Sequence, residues 1–412
     1  MFHVKQLIEN RELSKYFDTT KNKIIVGDNL DALEILREEY AGRIKMIYID
    51  PPYNTPVSVL TYNNRFGKHN DFIAFMRPRL EIAKELLTDD GGIFISIDEW
   101  EYAYLKVYCD DLFNENNFVG DIIRRTRAAM NVGMCNFDYQ HEFCLIYAKQ
   151  KNKFSLKGEK KYYSAYEKMT MRCKGRTAPN VTNKMSFGIK NPYTNTVDYP
   201  SMGRTWSFSK ETFDKMVESG RVVFKKEVKN GQYSFFIKDN NEKTYRFILV
   251  KSLFGIDSKY LNAAGHNELC KLMGSPVFTY PKPVAFIKKL VYMTTVDGDI
   301  ILDFFAGSGT TAHAVIELNK DEYTNRSYIL VQLKEALKQD SYGYEFVKKH
   351  NLRPYISDLT IERVKRASNI IEDQAGLFAY AQDFGYKVLE IDEGGQSNGR
   401  GFEVLVVPQG LR

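Results

Sequence analysis

The 412-residue sequence predicts an α/β fold interrupted by a smaller, β-rich insert. Three observations predict it. Residues 23–49 read as strand, turn, amphipathic helix and strand, which is one βαβ unit. Residues 297–318 repeat the pattern of strand, glycine-rich turn and helix far downstream. Between them, from Lys149 to about Ser275, helical periodicity gives way to short apolar runs. Asn191-Pro192, Ser219-Gly220 and Asn230-Gly231 separate these runs as turns.

Taken in order, residues 1–22 form a polar, partly helical lead-in. A short apolar strand at 23–26 ends at Gly27-Asp28-Asn29. The helix at 30–40 offers Leu30, Leu33, Ile35 and Leu36 to a core. The next strand, 46–49, stops at Asp50-Pro51-Pro52-Tyr53. Neither proline donates a backbone hydrogen bond, and each disfavours helix in the residue before it. A stiff loop therefore leaves the carboxyl end of a strand, where open α/β sheets bind ligands.

The polar stretch 61–70, with Tyr62 and Phe66, is long enough for a lid or a contact loop. A helix at 71–87 buries Phe72, Phe75, Met76 and Leu80 along one stripe. Gly91-Gly92 turns into a strand at 93–97, which presents Asp98 and Glu99 at the ligand edge. A helix at 102–113 follows. Strands at 118–125 and 142–148 then bracket a loop holding Arg127, Asn131, Phe137 and Tyr139.

In the insert, residues 221–228 and 232–238 read as a hairpin around Asn230-Gly231. Its basic residues alternate with Tyr162, Tyr163, Tyr166, Tyr193, Tyr199 and Trp206. Afterwards Tyr280-Pro281-Lys282-Pro283 leads into a helix at 284–292. A strand at 300–302 then runs into Asp303-Phe304-Phe305-Ala306-Gly307-Ser308-Gly309-Thr310-Thr311. Glycines at such a turn let a cofactor approach the backbone and expose the next helix N-terminus. A tight packing turn is the plainer reading of the same residues. Gly394 to Gly401 reads as a turn between two short strands.

Hydrophobic residues make up 43% of the chain, which is globular composition. The five cysteines are scattered without metal-ligand spacing, as expected of reduced thiols in a cytoplasmic protein. No apolar run is long enough to span a membrane, and the first residues lack a signal-peptide pattern. The net charge is +6, yet residues 149–184 hold eleven Lys or Arg against two Glu. That local excess suits a polyanionic partner.

The Asp-Pro-Pro-Tyr loop at 50–53 resembles the catalytic loop of amino-methyltransferases that act on DNA adenine or cytosine. The residues suit that chemistry. The adenine amino nitrogen is a poor nucleophile because its lone pair is delocalised into the ring. Acceptors for its two protons help most in the transition state, where positive charge grows on nitrogen. The Tyr53 ring offers a stacking face for a flipped base. The string at 303–311 resembles the S-adenosylmethionine motif of the same enzymes. Catalytic loop, insert and cofactor loop come in the order of the β class. The wording around the motifs is similar to the modification subunit of type III restriction-modification systems, over most of residues 23–375.

The resemblance implies a circularly permuted Rossmann-like methyltransferase with a target-recognition domain. Its parts would be a catalytic half (1–148), the recognition domain (149–275), a cofactor-binding half (276–375) and a C-terminal extension (376–412). It implies catalytic roles for Asp50, Pro51, Pro52 and Tyr53. It implies cofactor contacts from Asp28, Lys282, Asp303, Phe305, Gly307, Ser308, Gly309 and Thr310. Asp28 serves equally well as a helix N-cap. The ribose ligand is Gln332 or Glu335, since the strand at 327–333 lacks the usual terminal acid.

The implied product is N6-methyladenine in duplex DNA. An Asp at position 50 favours adenine, where Ser is more usual for cytosine N4. The implied partners are a restriction subunit and a second copy of the chain, and no metal is implied. A cytosine N4-methyltransferase, an RNA methyltransferase and a non-catalytic DNA-specificity subunit are the rival readings.

Overall fold

The computed structural model describes residues 5–55, 66–128, 138–162, 173–175, 185–200, 202, 204–228, 233–237 and 245–392. The packing divides the chain into two compact units. One comprises residues 1–157 and 250–412, the other residues 158–249.

The larger unit opens with β1 (Leu7–Lys15), β2 (Lys23–Val26), α1 (Asn29–Tyr40) and β3 (Ile44–Ile49). It continues with α2 (His69–Leu86), β4 (Leu87–Ile97), α3 (Glu99–Phe113), β5 (Phe118–Arg125) and β6 (His141–Ala148). After the insert come β7 (Leu253–Phe254), α4 (Asn262–Met273), α5 (Val284–Thr294) and β8 (Ile300–Asp303). The chain then forms α6 (Thr310–Glu322), β9 (Ser327–Gln332), α7 (Tyr342–Lys349), α8 (Ile356–Ala375) and β10 (Tyr386–Ile391).

These ten strands make one sheet in the order β1-β10-β2-β9-β8-β3-β4-β6-β5-β7. The six from β10 to β4 run parallel. Their side chains alternate between two apolar layers. Met46, Tyr48, Ile301, Tyr328 and Leu330 face α5, α6 and α8. Ile47, Ile49, Leu302, Ile329 and Val331 face α1, α2 and α3. With both faces buried, a one-residue slip would exchange every one of these contacts, so the register is strongly specified. Strands β8 and β3 lie side by side although some 250 residues separate them in sequence. The register therefore brings the glycine-rich turn beside the Asp-Pro-Pro-Tyr loop.

Residues 1–22 depart from the expected helical lead-in. Leu7–Lys15 is a strand, paired antiparallel with β10. Leu, Glu and Lys favour helix locally, but pairing with the sheet edge overrides that weak preference. Strand β10 also places part of the C-terminal extension inside the main sheet. The turn expected at 394–401 lies outside the described residues, as do Thr61–Arg65 of the lid stretch and Asn131 and Phe137.

The smaller unit has its own core of Ile189, Trp206, Phe208, Phe213 and Phe235. The described residues show short antiparallel pairs, among them Val222–Phe224 with Phe235–Ile237. The intervening Asn230-Gly231 turn, with Tyr163 and Tyr166, lies outside the described residues. One helix that the turn-rich pattern hid, Lys210–Glu218, is capped by the Ser209 hydroxyl accepting from the Thr212 N–H. Residues 149–157 and 250–275 pack with the larger unit. There Leu253 and Phe254 extend the sheet edge beside β5. On α4, Leu269 and Met273 pack against Val277 and Phe278.

Candidate active site

Four adjacent parallel strands end at one edge and deliver the site. β2 leads into Asp28, β9 ends at Gln332, β8 ends at Asp303 and β3 leads into Asp50. A cavity of about 340 Å³ lies across these ends. Asp28, Asp50, Pro52, Lys282 and Asp303 line it, as do Phe305, Gly307, Ser308 and Thr310. So do both candidates for the ribose ligand, Gln332 and Glu335.

The floor is the glycine-rich turn. Gly307 and Gly309 have φ of +52° and +78°, a region that penalises any side chain. Gly309 starts α6. Asp303 is almost fully buried, with Oδ1 accepting the Phe305 N–H at 3.0 Å and Oδ2 the Thr311 hydroxyl at 2.5 Å. Burial pushes its carboxyl up to about 7 against the pull of those two donors. The Gln332 side chain accepts the Gly307 N–H at 2.8 Å, which commits its oxygen to holding the loop. Asp28 caps α1, accepting from the Leu30 N–H at 2.8 Å, while still lining the cavity.

Beneath the turn, Arg363 of α8 is fully buried. Its Nη1 donates to the Ser308 and Thr310 hydroxyls at 2.6 and 2.7 Å. Arg363, Lys365 and Arg366 stand close together in the sequence of this helix. Which arginine points inward is not visible there, because that depends on the packing of α8 against α6.

The Asp-Pro-Pro-Tyr loop forms the opposite wall. The Tyr53 hydroxyl donates to Asp50 Oδ1 at 2.7 Å. Lys282 Nζ donates to both Asp50 oxygens at 2.7 Å and to the Tyr53 oxygen at 2.8 Å. Lys282, expected at the cofactor, thus pairs with the carboxylate of the loop while also facing the cavity. The pair rests on a second one that the sequence did not reveal. Glu142 of β6 accepts from Arg124 of β5 at 2.9 Å, and its other oxygen lies 3.6 Å from Lys282. Burial alone would raise the Glu142 carboxyl, but Arg124 and Lys282 hold it below its ordinary value.

The loop leaves through Asn54, at φ +56°. The Asn54 amide donates to the buried Glu101 at 2.6 Å and its oxygen accepts the Phe66 N–H at 2.7 Å. Asp98 and Glu99 follow β4 at the same strand edge, as expected, but do not line the cavity; Asp98 caps α3, accepting the Trp100 N–H at 3.1 Å.

The lining chemistry suits a ligand with a flat ring, hydroxyl groups and positive charge. Asp28, Asp50, Asp303 and Glu335 are acids. Phe66, Phe75 and Phe305 form an aromatic wall, with Phe66 and Phe75 rings 4.6 Å apart and Phe75 and Phe305 rings 6.1 Å apart. Among the described residues no cluster of His, Cys, Asp or Glu has the geometry of a metal site. No helix among them is long and apolar enough to cross a membrane.

A family model described as DNA methylase matches residues 44–350, three quarters of the chain and both walls of the cavity. The chain belongs to the DNA methylase family. It is 32% identical to the type II methyltransferase M.KpnI of Klebsiella pneumoniae, over 91% of this chain and 92% of that one. It is also 32% identical to the StyLTI Mod subunit, a type III restriction-modification enzyme of Salmonella typhimurium, over 89% of this chain. There it spans only 59% of the relative's length. Among solved structures, the cytosine-N4-specific PvuII DNA methyltransferase aligns with 12% identity and a TM-score of 0.41. That alignment covers 89% of this chain and 96% of the other. In this DNA methylase, the motif loop and the glycine-rich turn share one cavity.

Proposed function

We propose that this DNA methylase transfers a methyl group from S-adenosylmethionine to the N6 atom of adenine at a short sequence in duplex DNA. One observation carries the reading. Asp50 and the glycine-rich turn, distant in sequence, face each other across a cavity of about 340 Å³. A methyl donor on one wall and an amino group on the other would then meet in line.

The cofactor would lie between the 303–310 turn and the aromatic wall. Asp303, Phe305, Gly307, Ser308, Gly309 and Thr310 would form its cradle, with Asp28 at its adenine end. Gln332 and Glu335 both line the cavity and are the candidates for the ribose ligand. When bound, S-adenosylmethionine supplies an electrophilic methyl group on a sulfonium. The acids on the wall suit that positive charge.

The target adenine would flip out of the duplex and stack on Tyr53. Its amino protons would be accepted by Asp50 and the Pro51 carbonyl, with Pro52 stiffening the loop. These acceptors bind more strongly as positive charge develops on N6, which favours the transition state over the ground state. With the cofactor bound, Asp50 and the Pro51 carbonyl would hold the N6 lone pair towards the donated methyl group, and the proton that N6 gives up would pass to water.

The smaller unit and its flanking basic residues would recognise the DNA, phosphates through Lys and Arg and bases through groove contacts. The chain would act in the cytoplasm, as a homodimer, as the modification component of a restriction-modification system. Equal identity to a type II enzyme and a type III Mod subunit leaves both settings consistent with this role. The test is methyl transfer from labelled S-adenosylmethionine to unmethylated genomic DNA, followed by digestion to nucleosides and mass identification. N6-methyladenine is the expected product. N4-methylcytosine would overturn the base assignment. Transfer only to RNA would overturn the substrate.

A further inference from the structure

Asp50, Lys282, Glu142 and Arg124 form a chain of alternating charge beneath the cavity. If Asp50 accepts an amino proton of the target base, as the proposed function has it, an acceptor site on one of its oxygens must face the base. Here both oxygens accept from Lys282 at 2.7 Å, and Oδ1 also accepts the Tyr53 hydroxyl at 2.7 Å. The ammonium therefore competes with the amino group for the same carboxylate. Its charge there would also oppose the positive charge that grows on N6 during methyl transfer.

Lys282 cannot simply turn out to water. Its side chain is only 10% exposed, and a buried ammonium without a partner is costly. An alternative partner lies beside it. Glu142 Oε2 is 3.6 Å from Lys282 Nζ, beyond a hydrogen bond. A shift of roughly 1 Å would bring it into charge-assisted range. Glu142 itself is fixed. Its Oε1 accepts from Arg124 Nε at 2.9 Å, and Arg124 is anchored to the Tyr260 carbonyl at 2.5 Å and Asn262 Oδ1 at 2.7 Å. Oε2 faces Lys282 and lies 3.3 Å from the Tyr53 hydroxyl.

We infer that Glu142 is a positioning residue that draws the Lys282 ammonium off Asp50 when the target amino group takes its place. Glu142 does not touch the base. It gives Lys282 a second seat, so the cluster keeps two carboxylates and two cations whether or not a base is bound. The freed Asp50 oxygen then accepts the amino proton without a cation directly on it. Lys282 remains close enough to keep the buried carboxylates paired.

The test is a double-mutant cycle under single-turnover conditions, with tritiated S-adenosylmethionine and unmethylated genomic DNA. Glu142→Gln should lower the transfer rate at least tenfold while the cofactor Kd stays within twofold. In a Lys282→Met background the same substitution should cause no further loss, because the ammonium it steers is gone. Losses that multiply, or an E142Q rate equal to wild type, would overturn the inference. If E142Q does not fold because Arg124 is left unpaired, Arg124→Met combined with Glu142→Gln removes both charges together. That pair should show the same rate loss and the same absence of further loss with Lys282→Met, and wild-type rate in it would overturn the inference. Asp50→Asn is measured alongside. A near-wild-type rate there would remove the reading of Asp50 and the inference with it. An inactive D50N with multiplying losses at 142 and 282 would remove the inference alone.

Discussion

Asp303 and Asp50 lie at neighbouring strand ends, yet their surroundings differ. Lys282 neutralises Asp50. Among the described residues Asp303 has only two donors, both uncharged, and burial lifts it from an ordinary 3.8 to about 7. Between those values the folded chain keeps a proton that the unfolded chain has released. The contribution of Asp303 to stability therefore falls as pH rises from 3.8 to about 7, and is level above that. Asp303→Asn should gain on wild type across this window, by on the order of 4 kcal/mol. Urea unfolding at pH 5 and pH 7.5 checks this, and a gap independent of pH would contradict it. At this scale the motif residues themselves were legible in the sequence, because Asp-Pro-Pro-Tyr and the 303–311 string are contiguous. Glu142, Arg124 and Arg363 were not assigned. Each matters through a partner more than fifteen residues away, and nothing local marks a charged residue as inward-facing.

The helices and strands position the site through close backbone packing, and α4 shows this most sharply. Gly265 lies against the Tyr-Pro-Lys-Pro segment. A Cβ there would meet the Pro281 carbonyl oxygen and come within 2.9 Å of both the Lys282 carbonyl carbon and the Pro283 nitrogen. Alanine is the better helix former by about 1 kcal/mol. The clash is with backbone, which has no rotamer to change, so crowding should win. Gly265→Ala should lower stability by roughly 1–3 kcal/mol. It should also reduce turnover by displacing Lys282. Urea unfolding and turnover read both effects, and a gain in stability would contradict the packing argument. Strand alternation and the helix stripes made most of the main sheet readable in advance. The exceptions have a common cause. β1 exists because it pairs with β10, and β10 because it also pairs with β2, and long-range pairing leaves little trace in local sequence. Helix Lys210–Glu218 was hidden among turn signals because it is only nine residues long.

The whole molecule separates into a sheet-based unit carrying the cavity and an insert with its own aromatic core. The insert leaves and re-enters through one antiparallel pair, with Glu159 opposite Ile248. A short linker replacing residues 158–249 should therefore close without strain in the larger unit. The shortened chain should still bind S-adenosylmethionine within about threefold of wild type, while duplex DNA binding is strongly weakened. Its residual DNA binding should also show a shallower dependence on salt, because fewer phosphates are neutralised. Calorimetry and filter binding at two salt concentrations test this, and unchanged DNA affinity would remove the recognition role from the insert.

The account centres on Asp50 as the acceptor for the target amino group across from the cofactor cradle. The most direct test is single-turnover methyl transfer to unmethylated genomic DNA by wild type and by Asp50→Ala, with cofactor affinity measured on both. Wild type should yield N6-methyladenine. Asp50→Ala should bind the cofactor normally and lose at least about 100-fold in rate, the scale on which a single transition-state contact acts. An Asp50→Ala protein that methylates adenine at a near-wild-type rate would contradict the account.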